Sequence, residues 1–212
     1  MLLVISSIIL GTLLSGIWFG LNIIINILAS KLKVDWFAKH SVLFSALLPT
    51  IIILKNSSLC LWNIENVAHI KSWLLILATV LLTAVIVANN KVENLPTGKE
   101  LLAYALDGIF MEVPQRMMMQ SFIHMILSVN EMYIVMAPLL TAVVWCISIC
   151  IQCFVMKQCF EKSVFYELLA SFVFSVGVGY VLLESGFIGF TMVAHFMERL
   201  VSTHLRKWMA KR

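Results

Sequence analysis

Residues 95–128 read LPTGKELLAYALDGIFMEVPQRMMMQSFIHMILS, and inside that mostly apolar segment Glu112, Arg116, Gln120 and His124 recur at every fourth position. On a helix these four lie above one another and drift slowly about the axis, which makes one polar stripe on a greasy rod. Ionisable groups in a lipid-length segment turn toward the bundle interior, pair there and mark a functional site. At 1.5 Å per residue a helix of about 30 residues exceeds the hydrocarbon thickness, so the first turns, 100–106, are expected at or below the headgroups. Thr97-Gly98-Lys99-Glu100 has the spacing of a capping box that starts this helix. Pro114, between Glu112 and Arg116, removes a backbone hydrogen bond and predicts a kink beside the pair.

The rest of the chain sets the same context. It is 61% hydrophobic and 12% charged over 212 residues, with a mean hydropathy of +0.99. Several long apolar runs define an all-α, polytopic transmembrane helix bundle. Besides the central helix, spans are expected at 2–29, 40–54, 72–88, 133–156, 164–183 and 187–201, about seven in all. The first of these is too long for a signal-peptide core and lacks a basic leader. The chain divides into an N-terminal three-helix membrane region, 1–95, and a core bundle with the polar site, 96–212.

The net charge of +4 is small and its cations lie between and after the apolar runs, so they read as topology signals and imply no nucleic-acid partner. Lys31, Lys33, Lys39, Lys91, Lys99, Lys157, Lys162 and the basic C-terminal tail fall on one side, and Lys55 and Lys71 on the other. The positive-inside rule then places the N-terminus outside and the C-terminus in the cytoplasm of a cell membrane of bacterial inner-membrane type. Cys146, Cys150 and Cys153 share a helical stripe, Cys159 follows, and Cys60 stands in a loop; without a CxxC pair these read as apolar thiols rather than a metal or redox cluster.

Counted from the cytoplasmic surface at 1.5 Å per residue, Glu112 on the central helix and His195 on the last are both roughly 12 to 20 Å deep. They are expected to meet. An acid and an imidazole in a low-dielectric bundle form a proton-transfer pair, with Arg116 as the neighbouring cation. The competing reading makes Glu112 and Arg116 a neutralised structural pair and His195 a packing histidine. Gln115, Gln120 and His124 read as cavity lining or interhelical contacts, Glu184 and Glu198 as membrane-edge residues, and Met117 to Met119 as packing.

The run Glu112-Val-Pro-Gln-Arg116-Met-Met-Met-Gln120 resembles the first motif of the CAAX protease and bacteriocin-processing family of intramembrane proteases, in which two adjacent glutamates precede an arginine. Val176-Gly-Val-Gly-Tyr-Val-Leu-Leu-Glu-Ser-Gly186, followed by Phe190-Thr-Met-Val-Ala-His195, is similar to the family's paired-glycine helix and its last, histidine-led motif. The likeness covers roughly residues 101–200. It implies a helix bundle around a polar cavity, hydrolysis of a small hydrophobic, lipidated or bacteriocin-like peptide, and no obligatory cofactor. The resemblance assigns the catalytic roles to Glu112, Arg116 and His195: Glu112 takes the proton of water, His195 steadies the oxyanion or orients the water, and Arg116 tunes Glu112. Three departures stand out: Met111 replaces the first glutamate, the second motif's histidine is missing, and Arg199 stands where asparagine or aspartate follows the last histidine.

Two further readings follow. A member without its base is a membrane immunity or regulatory partner that binds a peptide or protein without cutting it. A polar stripe can also line a transporter path, although no repeated halves are visible.

Overall fold

The computed structural model describes residues 1–90, 95–155 and 162–210. The expectations for Lys91, Met156, Lys157, Cys159, Lys211 and Arg212 lie outside these residues. The protein is all-helical: α1 (Leu2–Lys31), α2 (Asp35–Lys39), α3 (Ser41–Asn56), a 3₁₀ turn (Ile64–Ala68), α4 (Ile70–Ala88), α5 (Lys99–Glu112), a π segment (Val113–Gln120), α6 (Ser121–Leu127), α7 (Glu131–Ile134), α8 (Ala137–Val155), α9 (Lys162–Ser185) and α10 (Ile188–Met209). Among the described residues, α1, α4, α8 and α9 are each long and apolar enough to cross a membrane.

Their burial pattern is inverted relative to a protein in water. On α1 the buried positions include Ser7, Gly11 and Ser15, while Ile9, Leu13 and Ile17 are exposed. On α4 Ser72, Thr79 and Thr83 turn inward, and Leu74, Leu77, Leu81 and Leu82 turn outward. Lipid tails are as apolar as leucine, so helices in a bilayer associate through small and polar residues that allow close approach. The exposed leucines and isoleucines need no further partner there.

Three apolar clusters fill the interior. Trp18 of α1 stacks on Trp145 of α8 at 5.6 Å between ring centroids and donates from Nε1 to Val42 O of α3 at 3.2 Å. Met118, Met119 and Ile123 complete that cluster, and a second joins Ile76 and Val80 of α4 to Phe174, Val178 and Ala194 of α9 and α10. Residues before and after position 95 therefore share these cores.

At one end of the bundle the segment after α3 docks on the α9–α10 turn. Asn63 N donates to Gly186 O at 2.9 Å, Ile188 N to Leu61 O at 2.9 Å, and Asn66 Nδ2 to Ser185 O at 2.7 Å. Gly186 has φ +64° and backs onto Cys60, so a β-carbon there would be both strained and crowded. At the other end α10 is tied down by its cations: Arg206 Nε donates to Val87 O at 3.0 Å and Lys207 Nζ to Pro96 O at 2.6 Å. Arg206 thereby adds a second donor to a carbonyl in the last turn of α4 that already accepts from Asn90 N at 3.0 Å.

Three local expectations are corrected. Gly98, with φ +54°, caps α5 and no side chain bonds the cap, so Thr97 and Glu100 form no capping box. Glycine enters that left-handed conformation without the clash that a threonine β-carbon would meet. The run at 133–156 is divided, with α8 starting at Ala137 and a separate turn, α7, before it; Pro138 fits the first turn of α8, where its missing N–H is not needed. Pro114 sits at the start of a π segment, which takes up the lost hydrogen bond by widening the turns and carries the chain on into α6.

Candidate active site and its cavity

Glu112 ends α5, Arg116 and Gln120 lie in the π segment, and His195 projects from α10. His195 Nδ1–H donates to Glu112 Oε1 at 2.6 Å across 83 positions of sequence. The other carboxylate oxygen, Oε2, faces Arg116 Nε at 3.4 Å as a charge contact without hydrogen-bond geometry. Glu112 and Arg116 are fully buried. Taking either ion out of water alone would cost several kcal/mol, so each is held there by the other and by the dipoles around them.

Those dipoles come from the π segment itself and from α9. Arg116 Nη1 donates to Gln120 Oε1 at 3.2 Å and Nη2 to Ser175 Oγ at 3.2 Å, while Gln120 Nε2 donates to Gly179 O at 2.9 Å. Gly179 has to be glycine for this approach: a β-carbon would stand 2.9 Å from Pro138 Cβ and 3.0 Å from Gln120 Oε1. Gly179 thus lets the polar stripe reach the α9 backbone, while its pair, Gly177, faces Thr79 of α4. The expected interhelical role of Gln120 is present.

The His195 ring packs 4.9 Å, centroid to centroid, from the Phe174 ring and closes against Gly108 of α5. Its outer edge lines a cavity of about 320 Å³ whose wall includes Thr83 of α4, Gln115 of the π segment, Trp145 of α8, and Glu198 and Arg199 of α10. Glu112 itself does not line this space and stands behind the imidazole. With Nδ1 engaged, Nε2 is the ring nitrogen left for the cavity. The expected Glu112–His195 contact is therefore present, with the imidazole and not the carboxylate at the cavity wall.

Arg199 donates from Nη1 to Tyr104 O at 2.6 Å, and its guanidinium carbon lies 4.4 Å from the centre of the Tyr104 ring. Glu198, read from the sequence as a membrane-edge residue, lines the cavity one turn from His195. The signal was in the sequence: His195, Glu198, Arg199, Ser202 and Arg206 follow the helical spacing of a single face, and all five line the cavity. Glu184 is exposed near the end of α9 as expected.

Met111, at the position of the family's first glutamate, packs against the Trp18–Trp145 cluster. His124 is buried on α6 with Nδ1 unpartnered, and it does not line the cavity. Cys146 and Cys150 line an apolar groove between α8 and α9. Among the described residues no three His, Cys, Asp or Glu side chains gather as a metal site.

The arrangement is a carboxylate–imidazole dyad with a cation on the far side of the acid, facing a mixed polar and aromatic cavity. It can accept a proton at Nε2 while Glu112 fixes the ring and offsets the charge that forms. Comparison with protein-family models, with curated proteins and with solved structures finds no match.

Proposed function

We propose that this chain is an intramembrane peptidase of the CAAX protease and bacteriocin-processing type, with seven spans, the N-terminus outside and the C-terminus in the cytoplasm of a bacterial cell membrane. The observation that carries the reading is the 2.6 Å bond between Glu112 and His195 at the wall of a cavity inside the helix bundle. Glu112 activates water through the imidazole: His195 Nε2 takes a proton from water, the hydroxide adds to the scissile carbonyl, and the proton then passes to the leaving amine. Arg116 faces the other carboxylate oxygen and ties this side of the site to α9 through Ser175. The substrate is a hydrophobic, lipidated or bacteriocin-like peptide, which would reach the cavity from the surrounding lipid.

The test is cleavage of hydrophobic peptides by the purified protein in detergent or lipid discs. Glu112→Gln should abolish cleavage, compared at equal amounts of folded protein because it leaves Arg116 buried without its carboxylate; cleavage at the wild-type rate removes the dyad chemistry.

The packing of Met111 into the apolar cluster favours a second reading, a family member that binds a peptide or protein partner as an immunity or regulatory protein without hydrolysing it. The two part on one comparison. A biological effect that survives Glu112→Gln at normal abundance belongs to the binding protein.

A further inference from the structure

Two polar side chains on the cavity wall are buried with nothing to bond. Gln115 is 7% exposed, and among the described residues its amide has no hydrogen-bond partner. Thr83 is 2% exposed, and its Oγ1 is buried and unpartnered. They come from different elements, the π segment and α4, and they share the cavity with His195 of α10. An unpaired polar group in such a place is costly, and native proteins keep such groups few; Thr83 Oγ1 lies under the wall, whereas the Gln115 amide is open to the cavity. Groups of this kind converging on one cavity are the polar anchors that fix the orientation of a ligand.

Their chemistry narrows the ligand. A glutamine amide presents a donor and an acceptor side by side, the complement of the N–H and C=O that one residue of an extended peptide turns to the same side. A threonine hydroxyl serves either role. The cavity's cations, Arg199 and Arg206, already donate to the Tyr104 and Val87 carbonyls. At about 320 Å³ the space is at the small end of ligand pockets, sufficient for a short peptide segment.

We infer that Gln115, with Thr83 in the same cavity wall, forms a peptide-group subsite, in which the Gln115 NH₂ donates to a substrate carbonyl and Gln115 Oε1 accepts the adjoining peptide N–H. The subsite delivers a backbone amide to the edge of His195 and deepens the peptidase reading on which it rests. Gln115 stands three residues beyond Glu112, so one turn of the chain supplies both the acid behind the imidazole and the amide in front of it.

The experiment titrates the full-length protein in phosphatidylcholine discs with acetyl-Leu-Leu-methylamide and with the analogue in which the central peptide N–H is replaced by an ester oxygen. Tryptophan emission reports binding, because Trp145 lines the cavity, and Trp145→Phe identifies the reporting ring. The amide should bind about tenfold more tightly than the ester, the scale of one buried hydrogen bond. Gln115→Leu should weaken amide binding about tenfold and erase the preference, Gln115→Asn should recover part of it, and Thr83→Val, which alters a hydroxyl beneath the wall, should leave the preference in place. Equal affinity for the two probes overturns the inference, as does unchanged affinity in Gln115→Leu or the absence of saturable binding.

Should Gln115→Leu fail to fold, Gln115→Asn and the amide–ester comparison on the wild type decide the matter. Amide-selective binding with no cleavage of any peptide keeps the subsite and removes the peptidase. Cleavage lost in Glu112→Gln, together with probe binding indifferent to residue 115, does the reverse.

Discussion

His195 occupies space that Gly108 leaves open: a β-carbon at position 108 would stand 3.0 Å from His195 Cδ2 and 3.1 Å from Arg199 Cδ. The α5–α10 crossing therefore sets where the imidazole sits relative to Glu112, four residues further along α5.

Gly108→Ala should separate site geometry from stability. Alanine is favoured over glycine inside a helix by roughly 0.5–1 kcal/mol, while the added methyl pushes the ring aside by a few tenths of an ångström. A misplacement of about 1 Å in a reacting group can cost about 100-fold. Thermal unfolding in detergent should therefore be unchanged or raised, and peptide cleavage should fall by about tenfold. Cleavage at the wild-type rate would show that the ring position is not critical.

Arg116→Met should be among the most destabilising single changes in the protein. It strands the buried Glu112 charge and removes the tie to Ser175, and breaking a buried pair on one side costs about 3–5 kcal/mol. Glu112→Gln combined with Arg116→Met should be more stable than Arg116→Met alone, because the stranded charge is gone. Thermal melts of the single and double variants check the sign of that coupling.

Gly177→Ala should loosen the α4–α9 contact. A β-carbon at 177 would overlap Thr79 Oγ1 and lie 2.7 Å from Thr79 Cγ2. Overpacking of that kind costs about 1–3 kcal/mol, and Thr79→Ala in the same chain should recover most of it. Melting temperatures of the single and paired variants, with purified yield as a second readout, test the relief.

Cys60 is exposed in the segment between α3 and α4, which the proposed topology places outside the cell. In a variant that keeps Cys60 as its one cysteine, a membrane-impermeant maleimide should label intact cells. Labelling that requires lysis would reverse the orientation.

Much of the fold was legible because apolar length and punctuation are local properties. The helices around Pro49, Asn89 and Gly186 follow the run lengths and breakers in the sequence closely. The π segment was not legible, since Pro114 announces a lost hydrogen bond without saying whether the chain will kink or widen its turns. The cavity-lining role of Glu198 was not read, because span counting weighs its depth and not which neighbours the α10 face that carries it will meet.

The sequence by itself determined a bundle of lipid-length helices and marked Glu112, Arg116 and His195 as its buried ionisable core, because a charge surrounded by apolar residues must turn inward and find a partner. Only the tertiary structure decided which way round the dyad faces. The crossing of α5 and α10 at Gly108 puts the imidazole on the cavity wall and the carboxylate behind it, and the close approach of α9 at Gly179 supplies the dipoles that keep Arg116 buried. Such relationships depend on where helices distant in sequence touch, and no local spacing encodes that.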